Sequence, residues 1–175
     1  MTTLALALGF ALAAAPQGAD AGVEFVPVKV LDVLELDDGG WAVLLGETGA
    51  DTVLPIFIGG MEGLAIRLRL DKQVTPRPLT HDLLEDAIEA LGGTVVQVEI
   101  DDLKADTFLG RIHLKPKARR PVVLDARPSD SIALALGTGA PIFVARPVLD
   151  RAGLSRKTLR PKRPPVGAGP KTESL

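Results

Sequence analysis

The sequence predicts an α+β fold: a single domain over residues 22–154, with a mixed, largely antiparallel sheet, two main helices and a short third one. Three features point there. Alternating apolar residues bounded by turn residues form hairpin-like pairs at Val23–Leu45 and Thr94–Leu114. Two stretches between those pairs, Met61–Leu70 and His81–Leu91, repeat apolar residues at helical spacing. Hairpins mix with helices, without the strict strand–helix alternation of a doubly wound parallel sheet.

The elements follow in order. Val23–Leu36 is β-rich and broken by Pro27. Asp37-Asp38-Gly39-Gly40 supplies the positive φ of a tight hairpin, and Trp41–Leu45 returns from it. Thr52–Ile58 completes a three-stranded meander. Gly59-Gly60 opens the helix Met61–Leu70, where Met61, Leu64, Ala65 and Leu68 share one face and Glu62 lies in the first turn. A proline-fixed loop leads to Thr80, read as the N-cap of His81–Leu91. Leu83, Leu84, Ala87, Ile88 and Leu91 form the expected buried stripe of that helix. Thr94–Ile100 and Thr107–Leu114 read as strands joined by a polar turn over Asp101–Asp106. Pro121–Ala126 is a further strand. Ser129 or Asp130 then caps a short helix, Ile132–Leu136, stopped by Gly137. Ile142–Ala145 is the last strand, and Val148–Ala152 one more helical turn.

Composition narrows the chemistry. The chain has 175 residues and no cysteine, which excludes disulfides, thiolate metal sites and cysteine nucleophiles. With two histidines, His81 and His113, a metal would be held mainly by carboxylates, which suits magnesium or manganese. Five Phe, one Trp and no Tyr leave little to stack bases on, so a passive single-strand binder is disfavoured. The net charge of −2 hides an asymmetry: after Asp150, seven basic residues face one acid. An acidic domain does not attract phosphate backbones through its average field, so a local arginine cluster, a metal or the tail must do so.

Residues 1–21 read as a signal peptide. Leu4–Ala15 is an uncharged run of 12 residues, too short to span a bilayer but matched to an export signal. Ala19-Asp20-Ala21 follows with cleavage-site spacing, although no Lys or Arg precedes the run. The expected destination is exported or periplasmic, with no membrane span in the mature chain. A cytoplasmic chain with an N-terminal arm is the alternative. Residues 155–175, rich in Pro, Gly, Lys and Arg, read as a disordered basic tail, either solubilising or an arm for nucleic acid.

Two segments place charge beside proline at element junctions: Pro76-Arg77-Pro78-Leu79-Thr80-His81-Asp82 and Asp125-Ala126-Arg127-Pro128-Ser129-Asp130. Proline restricts the backbone from which each guanidinium springs. A guanidinium grips phosphate with two parallel hydrogen bonds, and a helix start adds backbone donors. Asp82, Asp125 and Asp130 are candidates to hold a divalent ion that activates water, and His81 to move a proton. The competing reading is structural: Thr80, Ser129 and Asp130 suit any helix start, and Arg77 and Arg127 would pair with the nearby acids. Other patterns are weaker. Gly59-Gly60 lacks the Lys and hydroxyl of a phosphate-binding loop, and no Gly-x-Ser-x-Gly elbow exists.

Taken together, these stretches resemble the bifunctional nuclease domain family. Leu54-Pro55-Ile56-Phe57-Ile58-Gly59, with Glu62 and Ala65-Ile66, is similar to its first motif. Arg77 through Leu83 is similar to the second, and Thr107-Phe108 to the strand that follows. Asp125 through Ala135 is similar to the last, continued by Ala140–Val144. The resemblance runs from about Phe25 to Leu154. Gly60 and Gly63 stand where the family more often has proline or alanine, which predicts a looser first helix. The resemblance implies an α+β domain, a homodimer, and degradation of both DNA and RNA.

The resulting expectation is a nuclease that hydrolyses DNA and RNA phosphodiesters with little sequence preference, since no base-reading element is evident. His81, Asp82, Asp125, Asp130 and Glu62 are its candidate catalytic residues. Arg77, Arg127 and Ser129 are the candidate phosphate-binding residues. Asp125, Asp130 and Asp82 are the candidate ligands of Mg or Mn. The alternative is a non-catalytic, dimeric module that binds an anion or a partner.

Overall fold

A computed structural model describes residues 22–37 and 39–159. The expected leader and residues 160–175 of the expected tail lie outside the described residues. Eight strands form one sheet in the order β6-β5-β4-β7-β1-β2-β3-β8. They are β1 Phe25–Glu35, β2 Trp41–Glu47, β3 Thr52–Ile58, β4 Gly93–Lys104, β5 Thr107–Pro116, β6 Val122–Ala126, β7 Ile142–Ala145 and β8 Leu154–Ser155. The helices are α1 Gly60–Leu70, α2 Thr80–Ala90, α3 Pro128–Thr138, α4 Arg146–Ala152 and α5 Arg156–Leu159. Each neighbouring pair is antiparallel except β4 and β7. The fold is therefore the expected α+β domain with a mixed, largely antiparallel sheet. No described helix is long and apolar enough to cross a membrane.

The core is aliphatic. Leu45, Leu54, Ile66, Val98, Ile100, Ile132 and Val144 are completely buried, and they come from β2, β3, β4 and β7 and from α1 and α3. All four residues of β7 are buried, as expected of a strand held in the middle of a sheet. The helix α3 packs against α1 and α2 and across β4 and β5. At Gly110 of β5 a Cβ would come within 3.0 Å of both Ser131 Oγ and the Ala126 carbonyl, so the missing side chain lets α3 approach. The sheet curls. Phe57 and Ile58 of β3 line one hollow with Thr107 and Phe108 of β5, although a flat sheet would hold those strands about 24 Å apart.

Several boundaries differ from the expectation for physical reasons. The acidic stretch after Ile100 is strand through Lys104, not turn. Its charges find partners: Asp101 meets Arg111 at 2.8 Å and Asp102 meets Lys104 at 2.9 Å. The turn shrinks to Ala105 and Asp106, both with positive φ, as a two-residue hairpin requires. Thr80 is the first residue of α2 and not its cap; the Leu79 N–H instead donates to Asp82 Oδ2 at 2.7 Å. The helix α3 starts earlier than expected because Pro128, not Ser129 or Asp130, opens it. It also runs through Gly137 and ends at Gly139, where φ is +72°. Beyond Leu154, Ser155 adds to β8 against β3, so regular structure enters the segment assigned to the tail.

The two helical stripes turn outward. None of the residues of α2 is buried; Leu83 is 63% exposed, and Ile88 alone of the expected stripe packs on the core. On α1 the buried positions are Gly63 and Ile66, while Met61 is 77% exposed. Gly63 does not loosen the helix. A Cβ there would overlap the Trp41 indole, so the bare backbone is what lets α1 lie on that ring. Gly63→Ala is accordingly expected to destabilise the domain by about 1–3 kcal/mol, although alanine gains about 1 kcal/mol in helix propensity. Urea unfolding of the full chain, parent against variant, measures this.

Candidate functional site

Three helix starts converge on one arginine. Arg127 follows β6 in extended backbone and immediately precedes Pro128 of α3. Its Nε donates to Asp130 Oδ2 at 2.7 Å and its Nη2 to Asp130 Oδ1 at 3.0 Å. Its Nη1 donates to Glu62 Oε1 at 2.6 Å. Asp130 Oδ1 also lies 3.2 Å from His81 Nε2. Glu62 stands in the first turn of α1, His81 in that of α2 and Asp130 in that of α3. The positive ends of three helices thus face one small cluster.

The charge states follow from these contacts. Hydrogen bonds from Arg127 hold the Asp130 carboxyl below its ordinary range; burial opposes this and His81 adds to it. Glu62 is lowered first by a backbone N–H at its own helix start, then by Arg127. Asp130, then Glu62, raises the Arg127 guanidinium in turn. Three of the five guanidinium N–H donors are engaged in these bonds, and the side chain is 63% exposed. The remaining two donors, one each on Nη1 and Nη2, take no part in these bonds.

Arg127 and Glu62 form a ridge between two hollows. One, of about 540 Å³, is lined by His81 and Asp130 and by the apolar side chains Met61, Leu64, Leu68 and Leu79. The other, of about 340 Å³, is lined by Phe57, Thr107, Phe108 and Ser129. Segments more than fifty residues apart in the chain therefore meet at Arg127, including both proline-flanked segments.

Not every expected site residue joins. Arg77 is exposed in the loop between α1 and α2, outside the lining of either hollow. Asp125 is turned away. It pairs in register with Arg111, the neighbour of Gly110 along β5, so it lies on the sheet face opposite α3. There it lines a separate hollow with Asp101, Arg111 and Arg151. Ser129 is buried. Asp82 is committed elsewhere: Oδ1 meets Arg69 Nη2 at 2.5 Å and Oδ2 accepts the Leu79 N–H. Asp82, Asp125 and Asp130 thus do not share a site. Among the described residues no group of three or more His, Asp or Glu is placed to hold a metal ion. The trio Asp82, Asp125 and Asp130 expected from sequence is therefore not one ligand set.

Sequence reasoning missed Arg69. This side chain, 10% exposed, bonds Asp82 and Glu85 of α2 and the Ala133 carbonyl of α3, the last at 3.1 Å. Burial raises the Glu85 carboxyl, and Arg69 works against that rise. A signal existed: Asp82 and Glu85 sit one turn apart on a helix that has no Lys or Arg, so their partner had to come from another element.

The architecture and the cluster define an α+β domain that presents an arginine–carboxylate–histidine group at converging helix starts. A family model described as "Bifunctional nuclease domain" matches residues 43–157. The chain belongs to that family. It is 46% identical over 112 residues to an uncharacterized protein of Mycobacterium tuberculosis (strain ATCC 25618 / H37Rv), covering 64% of this chain and 66% of that one. It is 29% identical over 114 residues to "Bifunctional nuclease 1" of Oryza sativa subsp. indica, covering 64% of this chain and 34% of the rice protein. "Bifunctional nuclease 2" of Oryza sativa subsp. japonica is 26% identical over 129 residues, covering 73% and 39%. The chain thus spans just under two thirds of the mycobacterial relative and little more than a third of the rice proteins.

The lowered Asp130 carboxyl sets a pH dependence. A depressed folded-state value adds stability above the unfolded value of about 3.9, and that stability is lost as pH falls through the folded value. The difference in melting temperature between the parent and Asp130→Asn is therefore expected to be full at neutral pH and to shrink below about pH 4. Thermal unfolding of both chains from neutral to acid pH checks the sign.

Proposed function

We propose that this chain is a nuclease that hydrolyses phosphodiester bonds of DNA and RNA with little sequence preference. The family assignment supports it, and one observation carries it to particular residues: largely exposed Arg127 has two donors outside its carboxylate bonds, beside a His81–Asp130 pair. Those donors hold two oxygens of the scissile phosphate. Glu62 and Asp130 fix the guanidinium plane from two sides. His81 gives its Nε2–H to Asp130, which leaves Nδ1 as the acceptor for a proton from water. That water oxygen bonds to phosphorus, the ester P–O bond breaks, and the leaving oxygen takes a proton from solvent. Asp130, held ionised by Arg127, stabilises the imidazolium that forms.

The test uses the full chain with labelled DNA and RNA, with and without EDTA. Cleavage by Arg127→Ala is expected to fall about 10²–10³-fold, as for loss of a transition-state donor. For His81→Ala the expected fall is about 10²–10⁴-fold, as for loss of a general base. Arg77→Ala and Asp125→Ala are expected to stay near the parent. Parental rates in both Arg127→Ala and His81→Ala would overturn the assignment.

The proposal includes a homodimer, in line with the family resemblance. Its support is the exposed stripe of α2, where Leu83 and Leu84 lie uncovered by the described residues, together with exposed Met61 and Leu64 on α1. Burying such surface is worth about 25 cal/mol per Å². Leu83→Asp is expected to convert a dimer to a monomer in sedimentation velocity; a parent chain that sediments as a monomer would reject the pairing.

A further inference from the structure

The position of His81 owes little to buried apolar packing, although its helix lies against α3 and β4. Its helix, α2, has no buried residue, and only half-buried Ile88 seats it on the core. Strong polar bonds take the place of that packing. Arg69, rising from the last turn of α1, reaches Asp82 and Glu85 one turn apart on α2, and the carbonyl of Ala133 on α3. Asp82 is the next residue after His81. The guanidinium is nearly enclosed, and its planar fork suits three acceptors on two elements in a way an ammonium does not.

A second feature belongs to the same arrangement. Gly137 lies inside α3, where glycine is a poor helix former. A Cβ there would overlap both Arg69 Nη1 and Glu85 Oε1. The glycine leaves room for the ion pair between the helices.

We propose that Arg69, seated against Gly137, is the positioning residue that holds α2 so that His81 meets Asp130. It touches neither substrate nor the reacting atoms and acts through Asp82 and Glu85. The activity arm of the test rests on the nuclease reading above; the structural arm does not.

The chain has two histidines, so each ring gives its own NMR signal. His113 lies buried on β5, its Nε2 2.9 Å from Glu99, and serves as the internal control. Two full-length variants are compared with the parent. Arg69→Met removes the charge. Gly137→Ala keeps every charge, replaces glycine with a better helix former, and makes the ends of the Arg69 and Glu85 side chains shift from where they meet. In both, the His81 ring signal is expected to move and the His113 signal to stay. Amide exchange in α2 is expected to quicken about tenfold or more through local opening, with α1 and α3 unchanged. In the nuclease assay kcat is expected to fall about a hundredfold through misplacement, while KM, set by Arg127, stays within about twofold. If Arg69→Met fails to fold, as loss of the His113 signal would show, Gly137→Ala decides. An unmoved His81 signal with unchanged α2 exchange in a folded variant overturns the proposal. Should both NMR responses appear while the parent cleaves neither nucleic acid, the positioning role stands and the nuclease reading falls.

Discussion

Asp130 gives both oxygens to Arg127 and one of them also to His81, and this shared carboxylate gives three helix starts a common point. Without it, the ends of α1, α2 and α3 would be three separate surface features. The demand is strict because Asp130 belongs to the helix that packs across β4 and β5, and so is fixed by the sheet. His81 comes to it directly, and Glu62 to the Arg127 it holds, from helices seated less deeply. The sheet sets one partner, and the charged network recruits the others.

The cluster is neither a closed structural knot nor an open basic patch. Exposed ion pairs contribute little to stability, so the worth of Arg127 is not chiefly in holding the fold. Two carboxylates orient it without enclosing it. That combination suits a group which must meet an outside anion in a set geometry. The neighbouring Arg69 shows the contrast. It is enclosed, with acceptors on two helices, and its role is internal. Two arginines of similar chemistry are thus separated by burial: one faces solvent and one ties helices together.

Much of the backbone was legible. The strand Thr52–Ile58 is bounded in the sequence by turn residues on one side and Gly59-Gly60 on the other, and it forms over those residues. The approach of Arg127, Asp130 and His81 could be suspected from the proline-flanked helix starts, and Glu62 from its place in the first turn of α1. What failed were inferences needing a third dimension. Asp101 to Lys104 looked like a solvated turn because the sequence does not show that Asp101 faces Arg111 across the hairpin or that Asp102 pairs with Lys104 along the strand. Asp125 looked like a companion of Arg127, but strand alternation sends it to the other face of the sheet. The stripe of α2 has proper helical spacing, yet spacing alone does not say whether the chain itself or something else covers it. Arg69 was hidden because an arginine in a last helical turn is ordinary.

The place of β7 has a bearing on how the chain matures. This strand lies between β1 and β4, so it joins the N-terminal meander to the β4–β5–β6 hairpins, and it is made late. Until Ile142–Ala145 has left the ribosome, the two half-sheets have no seam and each shows an unpaired edge at β1 or β4. Folding of the whole domain therefore waits on its last central strand. A chain arrested before that point holds both halves of the sheet without the strand that pairs with each of them.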